Sequence, residues 1–411
     1  MKENKKKITG AFLGTIVEYY DYSLYVFSAG IIAEKFFPGF EKLESLKYVF
    51  AIYALSYFAK PLGSIFFSRI GDLYGRKTSL RITMIGIAIP TLTIGLLPEY
   101  NSISFISTQI LILCRFLQGF FVAGEYDGAA IYVIEHLGKK HHYTASTIAR
   151  ATGVCGLVLG IASTNFFNSS IFPEWGWRIP FLLSMPLALI TIYYRKYLEE
   201  TPDFIKAKEA GLEFNNLIVF IMEKWRTLLL VILLAGGFGV TYQISILFMK
   251  HYLPIIVPKT SEIITTFSVL IVMVFGITMP LSGLLADRLS LGLVLKSSIL
   301  LTLFSIMLLI ISIYSELFNL TLLACILLAI SVAPFNALAH GVIVKAFNVN
   351  DRYRGISLGH TSGSMLMSGT ANFICLFFMK NFGLLLFPIF YVSFFAILTF
   401  ILMNIFDKKY K

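Results

Sequence analysis

The sequence has 411 residues, 57% hydrophobic and 14% charged, with a mean hydropathy of +0.78 and a formal net charge of +11. A water-soluble globular domain carries about 25% charged and roughly 45–50% apolar residues, so a chain this poor in charge cannot clothe a water-facing surface, and its solvent is lipid. Its apolar residues run in segments of about 20, the length at which a helix crosses a ~30 Å hydrocarbon core, and the strict alternation of a transmembrane barrel is absent.

The expected class is an all-α membrane protein of twelve transmembrane helices. The chain begins with a basic stretch, Met1 to Lys7. The apolar run after it is too long and too polar for a cleaved signal peptide and shows no small-residue cleavage site, so it is expected to remain as the first span. Spans 1 to 6 are expected at 8–32, 46–70, 78–98, 103–135, 142–168 and 178–197. Spans 7 to 12 are expected at 225–249, 262–286, 291–313, 317–345, 355–380 and 383–406.

Ionisable groups inside spans cost about 2.5–3.5 kcal/mol each on insertion scales, which makes them functional candidates. Span 1 carries Glu18 and Asp21, three apart and so on one helix face. At ~1.5 Å per residue, Glu18 lies near mid-membrane. Two carboxylates at close range in low dielectric are costly to ionise together, which suits a site that takes and releases a proton. Between spans 2 and 3 the chain reads Gly71-Asp72-Leu73-Tyr74-Gly75-Arg76-Lys77.

Span 4 places Arg115, Gln118, Val122 and Glu125 on one stripe. Arg115 is expected at the depth of Glu18 and Asp21, where it can neutralise them or clamp a substrate carboxylate bidentately. Asp127 lies about 120° around the helix from Arg115. It is assigned instead to a structural ion pair with Arg150 of span 5, since both lie at a similar distance from the turn between the spans. Gly153, Gly156 and Gly160 of span 5, like Gly355, Gly359, Gly363 and Gly369 of span 11, suit close helix packing.

The longest hydrophilic stretch, Glu199 to Lys224, divides the chain into an N-terminal six-helix bundle (1–198), a cytoplasmic linker (199–224) and a C-terminal six-helix bundle (225–411). Between spans 8 and 9 stands Ala286-Asp287-Arg288-Leu289, a faint copy of the earlier Gly-Asp-Leu stretch. Weak symmetry between halves is a mark of transporter folds built from repeats. Later ionisable groups are His340 and Lys345 on span 10 and His360 on span 11, whose roles the sequence leaves open, and Pro334 can kink span 10.

With a cytoplasmic N-terminus, 24 of the 34 Lys and Arg residues fall on the cytoplasmic side and 7 outside, the remainder being Lys60, Arg115 and Arg150 within spans. The positive-inside rule therefore puts both termini in the cytoplasm. The basic charge marks topology, not a nucleic-acid partner. The four cysteines (Cys114, Cys155, Cys325, Cys375) lie in apolar segments without metal-ligand spacing and are expected to be buried and reduced. No zinc, dithiol or phosphate-loop motif occurs, so neither a metal nor a cofactor nor ATP drive is expected, and no nucleophile–base pair suggests an enzyme.

Several motifs carry a family resemblance. Residues 63–77 (GSIFFSRIGDLYGRK) resemble the cytoplasmic signature of the major facilitator superfamily, and Arg115-x-x-Gln118-Gly119 resembles its span-4 signature. The stretches at 14–25, 115–129, 175–181, 195–204 and 352–370 resemble its metabolite–proton symporter branch, which includes proline/betaine and organic-acid carriers. The resemblance implies proton-coupled symport by alternating access in a bacterial inner membrane. Glu18, Asp21, Arg115, Gln118 and Glu125 would then serve substrate and proton. Asp72, Gly75, Arg76, Lys77, Asp287 and Arg288 would form the cytoplasmic gate. A proline/betaine-like zwitterion ranks first as substrate and a dicarboxylate second, with a proton-independent facilitator or a non-transporting sensor as the rivals. The partners expected are the solute, a proton and the bilayer, and the chain is expected to act as a monomer.

Overall fold

A computed structural model describes residues 2–74, 76–122, 142–195, 217–258, 261–347 and 349–409. These are helical almost throughout and contain no strand. Span 1 is a bent rod of α1 (Lys2–Phe27) and α2 (Ala29–Phe36), joined at Ser28, whose N–H still bonds the Leu24 carbonyl at 2.9 Å. Then come α3 (Lys42–Tyr74), α4 (Arg76–Leu96), α5 (Phe105–Val122), α6 (His142–Phe167) and α7 (Ile179–Arg195). The second half opens with α8 (Leu217–Tyr242), which passes through a π-helical stretch, Gln243–Phe248, into α9 (Met249–Ile256). It continues with α10 (Ser261–Arg288), α11 (Leu291–Ser315), α12 (Phe318–Ile343) and α13 (Val349–Gly363). A second π-helical stretch, Ser364–Ser368, leads to α14 (Gly369–Phe382), and α15 (Phe387–Lys409) ends the fold.

Among the described residues ten helices are long and apolar enough to cross a membrane, and Arg81–Leu96 is a shorter apolar helix. Within the described residues the expected spans fall on helices, span 4 (103–135) being described only as far as Val122, with two differences in detail. Span 7 is helical from Leu217 to Ile256, well beyond 225–249. Spans 7 and 11 are each interrupted by π-helix, which period counting does not foresee because one extra residue in a turn leaves hydropathy unchanged. Cys155 corrects another expectation. It is exposed on α6, whereas Cys114, Cys325 and Cys375 are buried, and all four are free thiols.

In lipid the hydrophobic effect does not drive helices together, so close packing and hydrogen bonds decide their arrangement. α1 packs on α6 and α7, α3 on α5, and α4 on α5 and α7. In the second half α12 packs on α10 and α11, while α8 packs on α13 and α15. The approach of α1 to α6 depends on glycine. A Cβ on Gly156 would strike the Ile16 carbonyl oxygen, and it would lie 2.9 Å from the Tyr19 Cβ. Across the halves α6 meets α10 and α12, and α3 meets α14.

α15 shows how lipid faces differ from packed ones. Phe390, Phe394, Ile397, Ile401 and Ile405 form an exposed apolar stripe, while Val392, Ala396, Thr399, Met403 and Phe406 on the opposite side are buried.

Candidate functional site

Between the two sequence halves lies a cavity of about 550 Å³. The first half contributes Glu18, Tyr22, Tyr57, Lys60 and Arg150, and the second contributes Tyr242, Gln243, Asn336, His360 and Ser368. A smaller cavity of about 290 Å³ shares Tyr22, Lys60 and Val122 with it and is bordered by Asp21, Arg115 and Gln118.

Asp21 and Arg115 are the two oddest residents. Asp21 is 2% exposed, and neither of its carboxylate oxygens has a hydrogen-bond partner. Its polar neighbours are the Ser184 hydroxyl and the Glu18 carboxyl. Arg115, also 2% exposed, donates from Nη1 to Gln118 Oε1 at 2.6 Å and from Nη2 to Ser56 Oγ at 3.3 Å, while its Nε has no partner. Gln118 passes the chain on, donating to Thr91 Oγ1 at 2.7 Å. The guanidinium lies 4.2 Å from the Tyr25 ring centroid and 5.4 Å from that of Tyr53. Of the two roles open to Arg115, pairing with Glu18 or Asp21 is not seen, since no ion pair within 4.0 Å joins Arg115 to either among the described residues. An acid and a base border one cavity without touching.

A hydrogen-bonded node closes the side of the cavity away from the chain termini. The Tyr22 phenol touches those of Tyr53 and Tyr57. Gln243 Nε2, with two N–H groups to donate, lies within reach of all three hydroxyls, at 2.8 Å from Tyr53, 3.2 Å from Tyr57 and 3.4 Å from Tyr22. Gln243 stands in the first π-helical stretch, where backbone pairing is locally loosened, a common place for functional residues. Lys60, one turn beyond Tyr57 on α3, sits 3.9 Å from the Tyr57 ring centroid and 5.5 Å from that of Tyr22.

On the termini side of the cavity, Arg150 crosses between the halves. Its Nη1 lies 2.8 Å from His340 Nδ1, and its Nη2 donates to Asn336 Oδ1 at 3.1 Å. The His340 and His360 rings stand 5.0 Å apart, and His360 stacks on Phe238 at 5.8 Å.

The halves touch at both ends of the cavity. At the end away from the termini, Lys250 Nζ donates to Asn165 Oδ1 at 2.7 Å and to the Phe27 carbonyl at 3.4 Å. His251 Nε2 lies 2.7 Å from the Val26 carbonyl, and Lys380 pairs with Glu41. At the termini end, Asp287 accepts from the backbone N–H groups of Tyr143 and Thr144 at 3.1 and 2.8 Å and from the Thr144 hydroxyl at 2.7 Å. It thereby caps the first turn of α6 from the opposite half. His142 Nε2 lies 2.8 Å from the Gly341 carbonyl, and Lys345 donates to the Tyr143 hydroxyl at 2.8 Å.

The structure thus gathers Glu18, Asp21, Arg115 and Gln118 around the paired cavities and places Asp287 across the half-to-half contact. Glu125, Asp127 and Gly75 lie outside the described residues, as do the side chains of Asp72, Arg76 and Lys77. Arg150, assigned from sequence to Asp127, lines the larger cavity and reaches His340 and Asn336 of the second half. Sequence reasoning did not bring out Lys60, Gln243 or the tyrosines as a group. Lys60 carried the signal that could have done so, a charge inside a span.

The profile of the Major Facilitator Superfamily matches residues 11–364. The proline/betaine transporter of Escherichia coli (strain K12) is 34% identical over 263 residues, covering 61% of this chain and 53% of that protein. The chain therefore spans about half the length of that relative. A putative proline/betaine transporter of Staphylococcus haemolyticus (strain JCSC1435) is 31% identical over 410 residues, 98% of this chain and 87% of that protein. Among solved structures, a D-xylose–proton symporter matches with a TM-score of 0.74 at 14% identity, covering 96% of each chain. The xylose transporter XylE from E. coli, in a partially occluded inward-open conformation, matches with 0.76 at 13% identity, covering 98% of each. At these identities the likeness speaks for the fold.

Proposed function

The chain belongs to the major facilitator superfamily and is a multi-pass membrane transporter, not an enzyme, and from that premise we propose that it is a proton-coupled symporter of a small carboxylate-bearing metabolite. That class takes in both the zwitterions named for its relatives and the organic acids. The carrying observation is the separated pair of Asp21 and Arg115 on one buried cavity. Burying an ionised carboxylate without hydrogen bonds is costly, whereas the neutral acid is tolerated. A proton bound at Asp21, with Glu18 beside it, therefore travels with the solute through the closed state. Arg115, with a free N–H and a cavity in front of it, supplies the donors for a substrate carboxylate.

Alternating access follows from the two contacts that flank the cavity. Residues 1–198 and 225–411 rock as two bundles about the central site, joined through 199–224. The termini face the cytoplasm, so the Asp287 contact is the inner gate and the Lys250 contact the outer one. Asp72, Gly75, Arg76, Lys77 and Arg288 complete the inner gate, and the chain works as a monomer.

The test is solute uptake into proteoliposomes with and without an inward proton gradient. Asp21→Asn, which keeps shape and removes the titrating group, is expected to abolish uphill accumulation while leaving counterflow exchange. Full accumulation by Asp21→Asn and by Glu18→Gln would remove both residues from the proton path. Equilibration without accumulation in the unmodified protein would establish a facilitator instead.

A further inference from the structure

We infer that Thr91, which lines neither cavity, is a positioning residue: it fixes which end of the Gln118 amide faces Arg115, and so holds the guanidinium in the pose that receives a substrate carboxylate. The inference rests on the transport reading above and adds to it the residue that orients its binding group.

A glutamine amide has two ends of like shape and opposite hydrogen bonding, while a guanidinium only donates. Gln118 can therefore steady Arg115 with its oxygen alone; turned over, it would set N–H against N–H. Thr91 decides between the two. Its hydroxyl proton goes to the Ile87 carbonyl at 2.9 Å, one turn back on α4, a bond that hydroxyls inside helices commonly make. A backbone carbonyl only accepts, so this bond leaves Thr91 Oγ1 with lone pairs and no proton. Only the NH2 end of Gln118 can then face it, at 2.7 Å, which puts Oε1 on Arg115 Nη1 at 2.6 Å. A polarity set at a fixed backbone atom thus passes through two side chains to the guanidinium.

The other contacts of Arg115 obey the same logic. Ser56 gives its proton to the Tyr53 carbonyl at 2.6 Å, so its oxygen can only accept, and Arg115 Nη2 reaches it at 3.3 Å. Ser56 comes that close because α3 and α5 meet at Gly119, where a Cβ would strike the Ser56 carbonyl oxygen. The Tyr25 ring, 4.2 Å from the guanidinium, is itself anchored, its hydroxyl donating to the Val49 carbonyl at 3.1 Å. Both terminal nitrogens are held, and the Nε–H remains buried without a partner. Each terminal nitrogen has a second N–H, so a carboxylate can meet the Nε–H and a neighbouring N–H side by side. Thr91 and Gln118 are both buried, so bulk water does not stand in for either bond. Asp21 borders the same small cavity as Arg115, and without the hold on Gln118 that carboxylate becomes a rival partner for the guanidinium.

The experiment compares Thr91→Val, which keeps the shape and removes the hydroxyl, with Thr91→Ser, which keeps the hydroxyl. Labelled proline, glycine betaine and 2-oxoglutarate are the probes. Their binding to purified, folded protein and their counterflow exchange in proteoliposomes are measured. Neither needs a proton gradient, so a failure of symport would not touch the result. Thr91→Val is expected to weaken binding of the probe that the unmodified protein takes by about 10–100-fold, the loss that follows when a charged hydrogen bond is misplaced. The exchange KM should rise with it while the maximal rate stays, and Thr91→Ser should restore the affinity. In a Gln118→Met background the same Thr91 change is expected to weaken binding no further, because Thr91 acts through Gln118. A merely structural threonine would not show that dependence. Thermal unfolding checks each variant, and if Thr91→Val does not fold, Thr91→Cys, whose sulfur accepts weakly, takes its place.

Unchanged binding in folded Thr91→Val, or a loss that simply adds to that of Gln118→Met, overturns the inference and leaves the transport reading intact. No binding of any probe by the folded, unmodified protein overturns the carboxylate reading of Arg115 and this inference with it.

Discussion

Replacing Lys250 with alanine removes a contact that exists only while the end of the cavity away from the termini is closed. The Lys250 ammonium holds Asn165 Oδ1 at 2.7 Å, while its 3.4 Å approach to the Phe27 carbonyl is long enough to add little. A hydrogen bond to a charged group is worth about 1.5–3 kcal/mol net. In the open state the ammonium regains water, so the lower part of that range applies, about 1.5–2 kcal/mol. The population open at that end should then rise about 10–30-fold. A single cysteine at Ser268, which accepts from Asn165 Nδ2 at 3.3 Å and is buried, reports that opening. It is introduced after removal of the native cysteines, since Cys155 is exposed. Its modification rate with a membrane-impermeant maleimide should rise by the same factor in Lys250→Ala and return toward normal in Lys250→Arg. An unchanged or slower rate in Lys250→Ala would show that this contact does not hold the gate.

Asp287→Ala should act at the opposite gate. It deprives the first turn of α6 of its cap, worth about 0.5–2 kcal/mol, so a reporter cysteine at Ser357, which faces Ser64 across the halves at 3.0 Å, should react faster. A Cβ on Gly369 would run into the Tyr57 ring. Gly369→Val is therefore expected to hold α3 and α14 apart, cutting accumulation while speeding labelling at Ser268, and normal uptake would show that this approach is not needed. Asp127→Ala or Arg150→Ala alone should each lower folded yield more than the two together, because an unpaired buried charge costs more than its absence. A double variant with the lowest yield of the three would separate the two residues.

Much of this protein is legible in its sequence because lipid imposes two simple rules. A span must be long and apolar, and each charge inside one must have a reason. Those rules mark out the expected spans and single out Glu18, Asp21 and Arg115 from the order of residues alone. The family signatures at 63–77 and 115–119 are contiguous, so they too survive in one dimension. Local rules do not say what a long side chain touches. The sequence leaves Arg115 open to the carboxylates of span 1 or to a substrate carboxylate, and only the packing shows it lying on Tyr25 and Tyr53, with Gln118 and Ser56 as its acceptors.

Sequence by itself determined the membrane solvent, the spans and the ionisable residues stranded within them, since each follows from composition along the chain. Tertiary structure alone decided which face of each helix is packed and which meets lipid. On α15, Phe394 and Phe395 are neighbours of like hydropathy, yet one is exposed at 61% and the other buried at 8%. Lipid tails are as apolar as a protein core, so no amphipathic signal marks the difference. It also decided that Gln243 of the second half would gather three tyrosines of the first, and that Lys60 would lie across two of their rings. Those groups stand up to 221 positions apart in the chain, and only the packing of one helix set on the other brings them within hydrogen-bond reach.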